Sequence, residues 1–155
     1  MWPLWSPRSE LSGRVRAVVD TNVWVSGLIV PASPPGRVLA AIRDRRLVAV
    51  ASWALAEELV EVLRRPKLAR YKLTEVDIVD VLALLAPLLP DVDTDPPLRD
   101  PDDTAVVSAA LAGGAALIIS GDADLLEDAA ARTGLSQRGI EVLTPVEALA
   151  RLGGA

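Results

Sequence analysis

Short apolar runs alternate along this chain with longer segments in which apolar residues recur at helical spacing. Each short run is rich in Val, Ile, Leu or Ala and is bounded by polar or turn residues, which is the pattern of a buried β-strand. Four such runs occupy residues 15–20, 47–51, 115–120 and 140–143. Strands that alternate with helices favour a sheet with helices packed on both faces. We therefore predict an α/β protein with three layers, α/β/α, and a central parallel sheet of four to five strands.

Capping residues and helix breakers predict where the helices begin and end. Ser52 can cap a helix that stops before Pro66. Thr74 and Thr144 are each followed three residues later by an acid, which is the spacing of a capping box. The helix after Thr74 is so apolar that we expect it to be largely buried. The predicted helices span residues 37–45, 52–65, 74–89, 100–113 and 124–132, and a last one begins at residue 144.

Composition narrows the chemistry that this chain can perform. The 155 residues include no His and no Cys, which removes the commonest general base, thiolate nucleophiles and disulfides. Catalysis must then rest on carboxylates, hydroxyls, Lys, Arg or a bound metal ion. No apolar run reaches the roughly 18 residues of a membrane span, and residues 1–14 make a poor signal peptide. We expect a flexible arm over residues 1–14, a single domain over residues 15–155, and a cytoplasmic protein with no membrane partner.

Two acidic residues come directly after predicted strands. Asp20 ends the run VRAVVD, and Asp122 follows the strand in LIISGDADLL, where Asp124 lies two residues further on. In open parallel sheets, ligands bind outside the carboxyl ends of the strands. A site role is therefore expected for Asp20. For Asp122 and Asp124 the sequence leaves two roles open, because either residue can also cap the helix that follows.

Two further acids lie on or beside the apolar faces of predicted helices. At about 100° per residue, Glu58 falls at the edge of the apolar stripe of its helix, whereas Glu57 and Glu61 point away from it. Asp103 falls at the centre of the stripe in DPDDTAVVSAAL, and Asp102 lies more than a quarter turn away. The alternative for Asp103 is a structural role in a capping box at the start of its helix.

Together these acids predict a metal site. Carboxylates that converge from four segments repel one another unless a cation lies among them. Oxygen ligands from several Asp and Glu side chains suit Mg²⁺ or Mn²⁺ better than Zn²⁺. Such ions activate water and stabilise a phosphodiester during in-line attack. We therefore expect phosphodiester chemistry at a magnesium or manganese site.

The order and spacing of these motifs resemble the PIN domain family, and within it the stand-alone bacterial and archaeal toxins of toxin–antitoxin pairs. The resemblance covers residues 15–152 and rests on DTNVWVSG, EELVEVLRRPKL, RDPDDTAVVSAAL, LIISGDADLL and LTPVEAL. It implies an endoribonuclease that depends on Mg²⁺ or Mn²⁺, and it adds a cognate antitoxin as a possible partner. By matching motif, the implied catalytic and metal-binding acids are Asp20, Glu58, Asp103 and Asp122. The implied further metal ligand is Asp124, and the implied supporting residues are Thr21, Asn22 and Ser120.

A basic segment, RRPKLARYK over residues 64–72, contains no acid and offers a surface for RNA phosphates. The predicted RNA contacts are Arg64, Arg65, Lys67, Arg70 and Lys72. The alternative is a solvated helix end that carries cations. The five proposed site acids account for the whole net charge of −5. Trp24 either stacks on a base or packs in the core.

Two other functions compete with the nuclease. A PIN-like RNA-binding or protein-interaction module without catalysis would share the same fold. A phosphoacceptor receiver domain is disfavoured, because it needs a Lys after a late strand, and the lysines here are Lys67 and Lys72. We also expect a homodimer, with the apolar helix 74–89 as a candidate interface.

Overall fold

The computed structural model describes residues 15–85, 101–122 and 126–153, with the side chains of residues 101–105 outside that description. The predicted arm over residues 1–14, Asp100 and Asp124 therefore lie outside the described residues. The strands are β1 (Val15–Val19), β2 (Leu47–Ala49), β3 (Leu117–Ile119) and β4 (Glu141–Leu143). The helices are α1 (Thr21–Ile29), α2 (Pro34–Arg43), α3 (Trp53–Leu63), α4 (Glu75–Leu84), α5 (Pro101–Gly113), α6 (Ala129–Gln137) and α7 (Pro145–Gly153), and a 3₁₀ helix spans Pro66–Tyr71.

The four strands form one parallel sheet in the order β2-β1-β3-β4, which confirms the predicted fold class. An isolated parallel bridge between Ala49 and Leu85 extends the sheet beyond β2. The chain moves from β1 to β2 on one side and later crosses to β3 on the other side of β1. A topological switch point therefore lies between the carboxyl ends of β1 and β3, where parallel sheets open a crevice for ligands.

Two apolar cores cover the two faces of the sheet. Ala17 and Val19 of β1 point into a core shared with α1, α2 and α7. Val18, between them, points to the opposite face and into a core shared with α5 and α6. Side chains alternate between faces along a strand, so a strand buried on both faces reads as a continuous apolar run. The sequence runs that predicted the strands therefore reflect burial on both sides.

Capping interactions confirm several predicted helix starts. The Ser52 hydroxyl accepts a hydrogen bond from the Leu55 amide at 3.2 Å. Thr74 and Asp77 form the predicted capping box at the start of α4. Thr144 and Glu147 form the corresponding reciprocal pair at α7, at 3.0 and 3.2 Å. Each pair satisfies amide groups that the first helical turn leaves without a backbone acceptor.

Three predicted helices differ from the structure. The helix predicted over residues 74–89 ends at Leu84, because Leu85 turns to an extended backbone and bridges Ala49. That helix is also less buried than expected, since Val76 and Val79 are exposed. The helix predicted over 124–132 is interrupted, because residues 126–127 are helical, Asp128 is not, and its side chain caps α6, which continues to Gln137. Helix α2 begins at Pro34 rather than after Gly36, with the Ser33 side chain as its cap.

Helix α1 was not predicted at all. Its nine residues follow β1 directly, with Asp20 as the N-cap. The segment TNVWVSGLI has no clear polar face, and its β-branched residues do not favour a helix on their own. Burial of Val23, Trp24 and Gly27 against the body of the protein decides the conformation.

Within the described residues, no single helix is long and apolar enough to cross a membrane.

Candidate active site at the carboxyl edge of the sheet

The candidate site lies at the switch point between β1 and β3. Val19 of β1 is in register with Ile119 of β3, so the next residues, Asp20 and Ser120, leave the sheet side by side. The Asp20 amide donates to the Ile119 carbonyl at 2.9 Å, and the Ser120 amide donates to the Leu143 carbonyl at 3.0 Å. The ladder therefore fixes the backbone of both residues up to the sheet edge.

Asp20 is a buried carboxylate, 9% exposed. Its Oδ1 accepts a hydrogen bond from the Thr21 amide at 2.8 Å, and its Oδ2 accepts one from the Ser120 hydroxyl at 2.7 Å. Both of these donors are neutral groups. A hydrogen bond stabilises a buried carboxylate more than it stabilises an exposed one. The Asp20 carboxylate is thus oriented by Thr21 and Ser120, which were both predicted as supporting residues.

Ser120 connects two of the predicted acidic residues. Its hydroxyl donates to Asp20 and accepts a hydrogen bond from the Asp122 amide at 2.9 Å. The side chain is fully buried. The two residues after Ser120 are therefore held beside the end of β1, and Asp122 is half-buried there. We call Asp20, Ser120 and Asp122 the strand-end triad.

Thr21 and Asn22 occupy the first turn of α1, next to the strand-end triad. The Thr21 hydroxyl is buried and has no hydrogen-bond partner among the described residues. Asn22 is exposed, and a Cβ placed on Gly121 would lie 4.0 Å from its Oδ1. Asn22 therefore faces the loop after β3. Its predicted role in orienting Asp20 stays a prediction.

Glu58 lies on α3, which packs against both α1 and α5. Its side chain is half-buried, whereas Glu57 and Glu61 are exposed. This difference agrees with the orientation that the helical pattern predicted for the three acids. The role of Glu58 at the site stays a prediction.

The structure describes the remaining predicted acids only in part. Asp102 and Asp103 lie in the first turn of α5, which begins at Pro101 as expected for a proline at a helix start. Their side chains, like all of Asp124, lie outside the described part. Within that part, no three Asp, Glu, His or Cys residues are close enough to hold a metal ion. The structure thus brings together Asp20, Asp122 and their supporting residues, and it leaves the full acidic set as a prediction.

Comparison with known proteins identifies the family. The sequence profile of the PIN domain family matches residues 16–124, which contain β1, α3, α5 and the strand-end triad. The chain belongs to the PIN domain family. A relative in Methanocaldococcus jannaschii, an uncharacterized protein, is 30% identical over 116 residues, which cover 73% of this chain and 74% of the relative. No solved structure gives a significant match. PIN domains are generally nucleases that use divalent metal ions, so this PIN domain is placed in a nuclease superfamily.

The described part of this PIN domain fits a divalent metal ion. Asp20 and Asp122 offer carboxylate oxygens, the ligand type that Mg²⁺ and Mn²⁺ prefer. The buried Thr21 hydroxyl beside them has unused hydrogen-bonding capacity, which a bound water or a phosphate oxygen would satisfy. A buried polar group without a partner is costly, and in native proteins it usually marks a ligand or a water.

Two of the basic residues predicted to contact RNA interact with other side chains of the protein. Arg64 forms a bidentate pair with Glu75, with its Nη2 2.7 Å from Oε2 and its Nε 3.2 Å from Oε1. Arg70 lies over the ring of Tyr71, an exposed aromatic residue that the sequence reasoning did not single out. The signal available in the sequence was its place between two cations in RYK. Trp24 is 2% exposed, so it packs in the core rather than stacking on a base.

Proposed function

We propose that this PIN domain is a metal-dependent endoribonuclease and the toxin of a toxin–antitoxin pair. The observation that carries the proposal is the strand-end triad, in which the Ser120 hydroxyl joins the Asp20 carboxylate to the Asp122 amide at the switch point. Asp20 also caps α1, but a neutral Ser or Asn side chain serves as a cap equally well, so that role alone does not require a buried carboxylate. A carboxylate held rigidly at a ligand-binding edge is what a metal-assisted hydrolase requires.

Under this proposal, Mg²⁺ or Mn²⁺ is held by Asp20, Asp103 and Asp122, with Glu58 and Asp124 as further ligands. When bound, such an ion lowers the pKa of water and stabilises charge on a phosphodiester. The chain contributes orientation: the Thr21 amide and the Ser120 hydroxyl fix the Asp20 carboxylate from two sides. The buried Thr21 hydroxyl supplies one more hydrogen bond to a phosphate oxygen or a water.

The reaction is hydrolysis of an RNA phosphodiester. The water oxygen adds to phosphorus, the bond from phosphorus to the 3′ oxygen breaks, and a proton passes to that oxygen. The products are a 5′-phosphate and a 3′-hydroxyl. The chain has no His and no Cys, so a mechanism with water as the nucleophile suits the residues that are present.

A homodimer and a cognate antitoxin are part of the same proposal. A largely apolar groove of about 420 Å³ lies between α3 and α4, lined by Trp53, Ala56, Val60 and Leu82 together with the charged residues Glu57, Glu61 and Arg64. Exposed apolar surface of this kind supports association with another protein. We propose that this face serves the homodimer, and that the antitoxin neutralises the acidic site with an Arg side chain. The proposed compartment is the cytoplasm.

The first experiment compares wild type with Asp20→Asn on a panel of structured and single-stranded RNAs, in Mn²⁺ or in EDTA. We expect cleavage by wild type in Mn²⁺ alone, and a rate at least about 100-fold lower in the variant, because a neutral amide binds a metal ion more weakly than a carboxylate. Asp44→Asn is the matched control, since it makes the same chemical change at an exposed residue at the end of α2.

Each result has a clear meaning. Loss of cleavage in Asp20→Asn but not in Asp44→Asn supports the nuclease. A folded wild type that cleaves no RNA and binds no Mn²⁺, measured by calorimetry, contradicts it and favours the PIN-like binding module. Equal cleavage in Mn²⁺ and in EDTA contradicts the metal dependence.

A further inference from the structure

The 3₁₀ helix Pro66–Tyr71 is held in a fixed position at the end of α3. Leu68 is its buried anchor. The bidentate pair between Arg64 and Glu75 joins the C-cap of α3 to the first residue of α4. Lys72 ends the turn in the left-handed region, with φ 56°. The side chains that project from this segment therefore start from a backbone that is already ordered.

Three exposed cations project from the segment. Among the described residues, no acid pairs with the side chains of Arg65, Lys67 or Lys72, and all three are exposed. Residues i and i+3 of a 3₁₀ helix lie in one row, so Lys67 and Arg70 project from the same side. A cluster of exposed cations with no neighbouring acid among the described residues attracts a polyanion such as a nucleic-acid backbone.

Tyr71 and Arg70 form a stacked pair beside these cations. The Arg70 guanidinium lies over the Tyr71 ring, 4.7 Å from its centroid, and its Nη2 donates a hydrogen bond to the Tyr71 hydroxyl. Both residues are exposed. A flat aromatic ring and a flat guanidinium are the two groups on which proteins stack unpaired bases. The hydrogen bond and the contact over the ring place the two flat groups side by side.

We propose that this surface, Arg65, Lys67, Arg70, Tyr71 and Lys72, binds single-stranded RNA by stacking a base on the Tyr71–Arg70 pair and holding the adjacent phosphates with the cations. The proposal deepens the nuclease proposal above and rests on it for the identity of the nucleic acid. We call the surface the stacking platform. It favours single strands, because bases inside a duplex are stacked on each other and do not offer a free face.

The stacking platform is separate from the candidate active site. Helix α3 starts beside the carboxyl edge of the sheet and runs for 11 residues before the platform begins. At about 1.5 Å per residue, that is roughly 16 Å along the helix axis from its start, and roughly 10 Å from Glu58, the proposed site acid in mid-helix, to Arg65. The platform therefore contacts nucleotides away from the scissile bond, and its loss weakens RNA binding without removing an acid from the site.

The test measures the affinity for fluorescent RNA by anisotropy, in EDTA so that cleavage cannot occur. The probes are a single-stranded RNA of mixed sequence and a hairpin of the same length. Tyr71→Leu removes the ring, Tyr71→Phe keeps it, and Lys67→Ala removes one phosphate contact. Arg138→Ala is the matched control, an exposed cation at the end of α6. Circular dichroism confirms that each variant is folded.

We expect Tyr71→Leu to weaken single-strand binding by about five-fold or more, the typical effect of losing one base–aromatic stack. Tyr71→Phe and Arg138→Ala stay within about two-fold of wild type. Lys67→Ala lowers the slope of log affinity against log salt by about 0.7, as expected for one phosphate contact to a single strand. Affinity for the hairpin stem changes less than affinity for the single strand.

Unchanged single-strand affinity in both Tyr71→Leu and Lys67→Ala overturns the stacking platform. So does a wild type that binds no single-stranded RNA, or an equal loss of affinity for hairpin and single strand. Cleavage by wild type in Mn²⁺ is measured separately. A platform that fails while cleavage remains leaves the nuclease proposal standing, and RNA binding without any cleavage supports the platform while contradicting the nuclease.

Discussion

Ser120 is the residue on which the geometry of the site depends most. Its hydroxyl is fully buried and serves both Asp20 and the Asp122 amide. Ser120→Ala leaves a buried carboxylate short of one donor, and a hydrogen bond to a charged group contributes about 1.5–3 kcal/mol. We expect about 2 kcal/mol less stability in urea unfolding, together with slower RNA cleavage.

Ser52→Ala is the matched comparison for Ser120→Ala. Ser52 is equally buried, but its hydroxyl caps α3 by accepting from the Leu55 amide. Loss of such a cap costs about 1 kcal/mol. The two variants should therefore separate stability from catalysis, with cleavage retained in Ser52→Ala. Equal cleavage rates in the two variants would argue against a role for Ser120 in positioning Asp20.

Thr21→Val, unlike Ser120→Ala, is not expected to lower the stability of the protein. Its buried hydroxyl has no partner among the described residues, so Thr21→Val removes an unsatisfied polar group at nearly constant volume. We expect the free energy of unfolding without metal to stay equal or rise by up to about 1 kcal/mol. RNA cleavage should fall, because the proposed reaction uses that hydroxyl. A large loss of stability in Thr21→Val would show instead that the hydroxyl has a structural partner.

For individual residues, the sequence predicts which ones belong to the candidate site better than it predicts their interactions. Asp20 and Asp122 follow apolar runs, and Glu58 borders an apolar stripe, so pattern alone points to them. Ser120 was predicted as a supporting residue only through the family resemblance, because the apolar pattern does not show that its hydroxyl joins two residues far apart in the chain. The exposed Tyr71 was overlooked for a related reason. Its significance comes from the Arg70 side chain above it.

Among the elements, α7 offers a test of capping that depends on pH. The Thr144 amide donates to the Glu147 carboxylate, and this hydrogen bond, with a second from the Thr144 side chain, lowers the pKa of Glu147 below its usual 4.5. A lowered folded-state pKa stabilises the protein above the unfolded-state pKa, and the contribution disappears as the pH falls through the folded-state value. Glu147→Gln keeps an acceptor but removes the charge.

We therefore expect Glu147→Gln to be less stable than wild type at neutral pH by about 0.5 kcal/mol, the usual size of a charge effect at an exposed helix start. The difference should shrink as the pH falls below the usual pKa of 4.5 and through the lowered folded-state pKa. Thermal unfolding across this pH range measures it. Glu57→Gln, at an exposed position in the middle of α3, is the control. A difference that persists at low pH would mean that the substitution acts through packing rather than charge.

Element boundaries were predictable where a capping side chain marks them. Ser52, Thr74 and Thr144 each start a helix in the place where the sequence puts it. The break at Asp128 was missed because several acids precede α6 and only the structure shows that Asp128 is the cap. Helix α1 was missed because its conformation depends on burial of Trp24 and Val23, a tertiary effect that local propensity does not contain.

For the whole molecule, composition and alternation predict a parallel α/β sheet but not the order of its strands. The order β2-β1-β3-β4 depends on which side of β1 each crossover returns. This order creates the switch point between β1 and β3, and with it the position of the candidate site. The resemblance to the PIN family implied that the acids converge, and the strand order supplies the physical reason why Asp20 and Asp122 do.

The bond between Ser120 and Asp20 joins residues 100 positions apart in the chain. A ribosome delivers the N-terminal residues first, so a nascent chain that has emerged only through α4 holds Asp20 without β3 beside it. A contact across such a separation forms late in folding, because the long intervening loop must be ordered first. If the proposed activity holds, the emerging chain cannot attack RNA before β3 has left the ribosome and paired with β1. The ribosome that makes it is thereby spared at least until that point.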